Sequence, residues 1–280
     1  MYIFVAIQIF DVFLPMDIWG FFSEYNALTL LILAVLAFMA GFIDAVVGGG
    51  GLIQLPALLV TLPGSSLPTI FGTNKIAALS GTSIAAFQYS RRIRFNIKLL
   101  ITIALASFVA SYFGAKIVSM INPATLKPII LVILIAIAIY SFIKKDLGHV
   151  ATKQLSIERQ MVFGVIIGLV IGFYDGFFGP GTGSFFVLAF VVILGFEFVQ
   201  ASAYAKIVNC MTNLSALIVF IRQGNYIIGI AILMAIFNIT GSIIGSRMAL
   251  KRGNGFIRIF FLIVVSIMIV RYGYDVFRSL

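Results

Sequence analysis

The sequence predicts an all-α polytopic membrane protein: two tandem homologous repeats, about eight transmembrane helices, and half-helices that are glycine-broken or re-entrant. Three observations lead there. Of 280 residues, 62% are apolar and only 10% charged, with a mean hydropathy of +1.17. A soluble domain carries about 25% charge, so this chain has too little polar surface to cover a water-facing globule. Apolar runs recur at 28–43, 99–118, 129–143, 161–173, 227–244 and 257–270, on the scale of the ~20 residues that cross a bilayer. Finally, the chain matches itself without a gap when shifted by 131 positions.

From the N-terminus, residues 1–27 open with an apolar stretch at 3–14 that fits a short interfacial or partly inserted helix. Trp19 and Tyr25 suit the headgroup zone, and no basic stretch or Ala-x-Ala site reads as a cleavable leader. The first repeat occupies 28–145 and the second 159–276, joined by a polar, cytoplasmic linker at 146–158. In the shifted register Gly41-Phe42-Ile43-Asp44 falls on Gly172-Phe173-Tyr174-Asp175, and Gly48 and Gly50 fall on Gly179 and Gly181. Lys75 falls on Lys206, Arg91 on Arg222, Ser111 on Ser242, Gly114 on Gly245 and Lys116 on Arg247. Chance does not place so many rare intramembrane polar residues in one register.

Each repeat reads as the same series. A helix ends at an Asp-containing glycine motif, and a short apolar piece follows (52–62; 184–194). A Gly/Pro/Ser-rich turn (63–68) or its counterpart near 195–199 leads to a helix carrying lysine (72–90; 203–221), then to two plain spanning helices. The short pieces have half the length a crossing needs, so they are half-helices. Basic residues cluster between apolar runs: Arg91, Arg92, Arg94 and Lys98; Lys144, Lys145, Lys153 and Arg159; Lys251, Arg252 and Arg258. That is the pattern of cytoplasmic loops. It favours inverted over parallel repeats, and it accounts for the net charge of +10 without nucleic acid.

One cysteine, Cys210, and one histidine, His149, exclude a disulfide framework and a zinc or haem site; no metal or other cofactor is expected. The glycine motifs lack the Gly-Lys-Ser/Thr ending of a phosphate loop, which argues against ATP-driven transport.

The chemistry sits at those motifs. Residues 48–51 are four glycines in a row, and residues 179–183 read Gly-Pro-Gly-Thr-Gly. Glycine costs up to about 1 kcal/mol against alanine in a helix and proline about 3. Freed backbone groups at membrane depth are tolerated only inside protein or along a watery cavity. Each motif therefore predicts a broken helix at a cavity, with a new half-helix starting near Leu52 or Ser184. Its free N–H groups and positive dipole end attract anions. Close helix packing through glycine is the plainer explanation, and it fits Gly168 and Gly172 better than it fits consecutive glycines. Asp44, Lys75, Asp175 and Lys206 lie inside apolar segments, where a charge costs about 2.5–3.5 kcal/mol and usually faces an interior path. Asn209 and Asn213 share a helical face with Lys206, while Thr73 and Asn74 flank Lys75. The alternative for the lysines is a structural bridge to the aspartate of the same repeat. Glu197 reads as a surface residue, Lys116 and Arg247 as snorkelling cations. Ser80, Thr82, Ser83 and Thr212 are candidates for lining a pathway, and the phenylalanines read as packing.

At Gly41-Phe42-Ile43-Asp44 with residues 48–51, at Thr73-Asn74-Lys75, at residues 172–180, and at Ala205-Lys206 with Asn209 and Asn213, the chain resembles the sulfite exporter TauE/SafE family. That family is also described as 4-toluene sulfonate uptake permeases. The likeness runs from about residue 28 to residue 276 and is nearest to bacterial inner-membrane members described only as membrane transporters. It implies transport of sulfite, sulfoacetate or another organosulfonate. The residues and the resemblance together give a secondary transporter for a small sulfur-containing anion, with no enzymatic activity. Lys75, Lys206, Asn74, Asn209, Asn213, Thr73, Gly50, Gly51, Gly181 and Thr182 bind the anion; Asp44 and Asp175 carry a coupling proton or hold the broken helices. A passive anion channel of the same architecture uses the same residues and stays open. So do import against export, proton coupling and a homo-oligomer. An intramembrane protease would have only the two aspartates to work with, and a scaffold would not need paired buried charges.

Overall fold

The structure, a computed structural model, describes residues 25–120 and 155–279. The expected N-terminal helix, Trp19, the apolar run at 129–143 and most of the linker with His149 lie outside the described residues.

Every described element is helical: α1 (Ala27–Val47), α2 (Gly51–Thr61), α3 (Leu67–Ser90), α4 (Ile97–Met120), α5 (Ile157–Phe177), α6 (Thr182–Val192), α7 (Phe198–Arg222) and α8 (Ile228–Ser279), the last broken at Gly253. Among the described residues five helices are long and apolar enough to cross a membrane: α1, α4, α5, α7 and Ile228–Gly253 of α8. Leu31, Val35, Val109, Val170 and Ile236 are exposed on these helices, as a lipid-facing surface requires. The chain is thus a multi-pass helical membrane protein.

The two short pieces form 11-residue helices, α2 and α6. The lysine-carrying helices begin five residues before their expected starts at 72 and 203. Pro68 was expected in a turn, but it sits in the first turn of α3, where its missing N–H has no acceptor to lose. Ser66 caps that turn by accepting from the Thr69 N–H (3.3 Å). Gly72 then lies inside α3 for packing: a Cβ there would meet the Asn225 carbonyl and Phe220.

Helix α4 lies along α5, and α8 along α1. Both contacts run through glycine. Gly164, Gly168, Gly172 and Gly176 of α5 meet α4 at Ile103, Ser107 and Ser111, while Gly241 and Gly245 of α8 meet Phe38 and Phe42 of α1. Ser111 donates to the Thr212 carbonyl (2.8 Å) and Ser242 to the Gly41 carbonyl (3.2 Å). Small residues let backbones approach without a hydrophobic driving force between helices. The remaining polar helix, α3, packs on α7 and α8 and buries Thr73, Asn74, Lys75, Gly81 and Thr82.

Candidate functional site

The two glycine breaks lie back to back. Gly48 (φ 83°) and Gly49 (φ 100°) carry the chain from α1 into α2, and Gly179 (φ 92°) and Gly181 (φ 80°) carry it from α5 into α6. Only glycine adopts these angles without penalty. A Cβ on Gly48 would overlap the backbone of Gly183 and Ser184, so the turns meet through bare main chain. Ser184 Oγ donates to the Val47 carbonyl across this contact (3.1 Å). The first turns of α2 and α6 therefore start from one buried place, with the Leu52, Ile53 and Gln54 N–H groups bonded to the Gly49 and Gly50 carbonyls and the Thr182 and Phe185 N–H groups to those of Gly179 and Gly181.

A small cavity lies there. Asp44 of α1, Gly50, Gly51 and Gln54 of α2 and its approach, and Asn74, Lys75 and Thr82 of α3 form one part of its lining. Asp175 of α5, Gly181 and Thr182 at α6, Asn209 and Asn213 of α7 and Asn238 of α8 face them from the other part. Its volume is about 20 Å³, against roughly 10–15 Å³ for one water. An organosulfonate enters only if the walls move apart.

The buried charges form two crossed pairs. Lys75 Nζ donates to Asp175 Oδ2 (2.8 Å) and Asn213 Oδ1 (2.9 Å). Lys206 Nζ donates to the Asp44 backbone carbonyl and lies 3.4 Å from the Asp44 carboxylate. Pairing within a repeat, the structural alternative raised by the sequence, is not what is found: each lysine meets the aspartate of the other half. The reason is the interdigitation of the halves, which sets α3 on α7 and α8 rather than beside its own α1 alone. Asp44 also accepts from Thr82 Oγ1 (3.1 Å) and the Gly50 N–H (3.4 Å).

Of the residues marked by sequence, Lys75, Asn74, Asn209, Asn213, Gly50, Gly51, Gly181, Thr182, Asp44 and Asp175 line the cavity. Lys206 and Thr73 do not. Lys206 is 0% exposed and engaged with Asp44. Thr73 ties α3 to the start of α8, donating to the Thr69 carbonyl (2.7 Å) and accepting from the Ile227 N–H (2.9 Å). Among the weaker candidates, Thr82 faces the cavity, whereas Ser80 bonds the Ile76 carbonyl (2.8 Å) and Ser83 meets Cys210 (3.2 Å). Lys116, Arg247 and Glu197 are exposed. Two polar lining residues escaped the sequence reading: Gln54 and Asn238.

A sequence with these paired motifs has known relatives. The sulfite exporter TauE/SafE family matches residues 33–272. The chain belongs to that family. This TauE/SafE protein is 38% identical over 244 residues to "Probable membrane transporter protein ORF9" of Sinorhizobium, covering 86% of this chain and 91% of the relative. It is 36% identical over 247 residues to a "Probable membrane transporter protein" of Haemophilus influenzae, covering 88% and 95%. Over 254 residues it is 36% identical to "Probable membrane transporter protein YfcA" of Escherichia coli K12, covering 89% and 91%. No solved structure matches the chain. The family and these relatives are membrane transporters, not enzymes.

Proposed function

We propose that this TauE/SafE protein is a secondary transporter that moves a small sulfur-containing anion, such as sulfite, sulfoacetate or another organosulfonate, across the bacterial inner membrane. The observation that carries the reading is the central cavity, where two half-helix N-termini, Lys75 and four asparagines converge. Interrupted helices at mid-bundle are where transporter repeats hold substrate, and the positive helix ends favour an anion.

The halves at 28–145 and 159–276 are inverted copies of one unit. Two apolar clusters support this. One gathers the starts of α1 and α3 with the ends of α4 and α7 (Leu30, Ile70, Val118, Phe220). The other gathers the end of α3 with the starts of α4 and α7 (Tyr89, Leu99, Phe198). Thus α3 and its counterpart α7 run in opposite directions between the clusters.

The site is charge-balanced without ligand: Lys75 and Lys206 are matched by Asp175 and Asp44. A monoanion entering this low-dielectric space leaves one charge uncompensated, which is costly. A proton taken by Asp44 restores neutrality. Asp44 is the better placed carboxylate, with 13% of its side chain exposed against 2% for Asp175. Protonated, it still leaves Lys206 held by the backbone carbonyl. Transport is therefore proton-coupled and electroneutral for a monoanion.

The test is flux of radiolabelled sulfite and organosulfonates into proteoliposomes with an imposed pH gradient. Uphill, gradient-dependent flux is expected. Flux that only ever runs downhill favours the passive channel, and no flux of any sulfur anion rejects the substrate class.

A further inference from the structure

The least satisfied side chain of the cavity is a neutral one. Gln54 is 0% exposed, lines the cavity from the first turns of α2, and neither its amide nitrogen nor its amide oxygen has a protein partner. Beside it in the lining, Asn74 is 5% exposed and its amide oxygen is likewise unpartnered. Buried polar atoms are nearly always hydrogen-bonded, and leaving them unpaired is costly. A helix interior built for packing alone places a leucine here, as its neighbours Leu52, Leu55 and Leu58 show. In the 131-residue register Gln54 corresponds to Phe185, whose ring packs on Tyr174 (5.6 Å) and which is not part of the lining. The feature is thus single and belongs to the α2 side.

We propose that Gln54 and Asn74 form the ligand-recognition subsite of this cavity, and that the anion it takes carries a hydrogen-bond donor of its own. The inference rests on the transport reading above and names the substrate class of that same site. An amide brings one donor group and one acceptor whichever way it is turned. The subsite therefore offers unpaired acceptors as well as the Gln54 N–H groups and the α2 N-terminus. Oxyanion oxygens satisfy the donors. Once a bound anion has displaced water from the cavity, the acceptors are satisfied only by a ligand O–H or N–H. Hydrogen sulfite and hydroxyl-bearing sulfonates meet both demands. Sulfite dianion, sulfate and simple alkanesulfonates meet only the first, and they leave Gln54 Oε1 and Asn74 Oδ1 buried beside them. A polar site of this kind discriminates strongly, because the wrong ligand strands its polar groups.

The experiment compares uptake of 2-hydroxyethanesulfonate and ethanesulfonate, two anions of similar size, by proteoliposomes of the full chain and of Gln54→Leu. For the unsubstituted protein, preference for the hydroxylated anion by about tenfold or more is expected, the worth of one buried hydrogen bond. In Gln54→Leu that preference should collapse. The same substitution removes an unpaired amide, so the melting temperature of the purified variant should hold or rise, whereas a structural glutamine would lower it. Equal uptake of the two anions by the unsubstituted protein overturns the donor requirement and leaves the transport reading intact. A preserved preference in Gln54→Leu overturns the role of Gln54. If neither anion, nor sulfite in the same assay, is taken up or shifts the melting temperature, both this inference and the sulfur-anion reading fall.

Discussion

At the scale of single residues, the Lys75–Asp175 pair is the tightest charged contact at the centre, at 2.8 Å with side chains 5% and 2% exposed. Removing one partner of such a pair leaves a buried charge uncompensated and costs about 3–5 kcal/mol, whereas replacing both by apolar residues is often neutral. Lys75→Met alone should therefore lower stability by that amount, and Lys75→Met with Asp175→Leu should recover most of it in detergent melts. A single variant as stable as the parent would show that the pair is not formed. The other pair is built differently, since Lys206 leans on a backbone carbonyl rather than on the Asp44 carboxylate. Asp44→Asn should accordingly leave anion exchange between equal pools intact and abolish uphill flux driven by a pH gradient; persistence of that uphill flux removes Asp44 from the coupling step. The charges of the site were legible because both halves carry them in register, and Asn74, Asn209 and Asn213 because they adjoin those lysines or share their helical face. Gln54 and Asn238 were not, because their register partners are Phe185 and Ser107 and neither lies near a lysine or aspartate in the sequence. The crossed pairing was equally invisible: lysine and aspartate are spaced alike in both halves, and only the interdigitation decides which meets which.

At the scale of elements, the glycine breaks do two jobs that substitution separates. Gly48 has φ 83°, and a Cβ there would enter the backbone of Gly183 and Ser184. The backbone strain alone costs about 1–3 kcal/mol, and the overlap is relieved only by parting the two turns. Gly48→Ala should fail to yield a monodisperse protein. Gly64, in the turn between α2 and α3, has nothing within 4 Å of an added Cβ, so Gly64→Ala should be folded and active. Size-exclusion profiles of the two variants check the contrast, and equal behaviour would remove the close contact of the turns. The half-helices were readable from sequence because a run of 11 apolar residues between glycines cannot span. The starts of α3 and α7 were not, because a proline or a glycine near a helix start reads alike whether it ends the turn or begins the helix. For α3, Ser66 and the packing at Gly72 decide it, and the second is a tertiary fact.

At the scale of the whole molecule, the direction of each helix between the two apolar clusters fixes which turns share a membrane face. The α3–α4 turn, the start of α5 and the Gly253 end of Ile228–Gly253 lie at the end marked by Tyr89, Leu99 and Ile257. Arg91, Arg92, Arg94, Lys98, Arg159, Lys251 and Arg252 are found there. At the other end, marked by Ile70, Val118 and Ile230, lie the α2–α3 and α7–α8 turns, with Lys116 and Arg222 the basic residues nearby. Lysine and arginine stay cytoplasmic when membrane helices insert, which predicts that the first end is the cytoplasmic one. Parallel repeats would instead put the α3–α4 turn and Lys251 on opposite faces. The distinction is open to measurement with single cysteines in a Cys210→Ala background, labelled from either side of the membrane. Cysteines replacing Arg92 and Lys251 should both react only from the cytoplasmic side, and cysteines replacing Gly64 and Gln223 only from the outside. Labelling of positions 92 and 251 from opposite faces would overturn the inversion. It would also undo the central site, because α2 and α6 could then no longer point their N-termini at one cavity from opposite sides of the membrane.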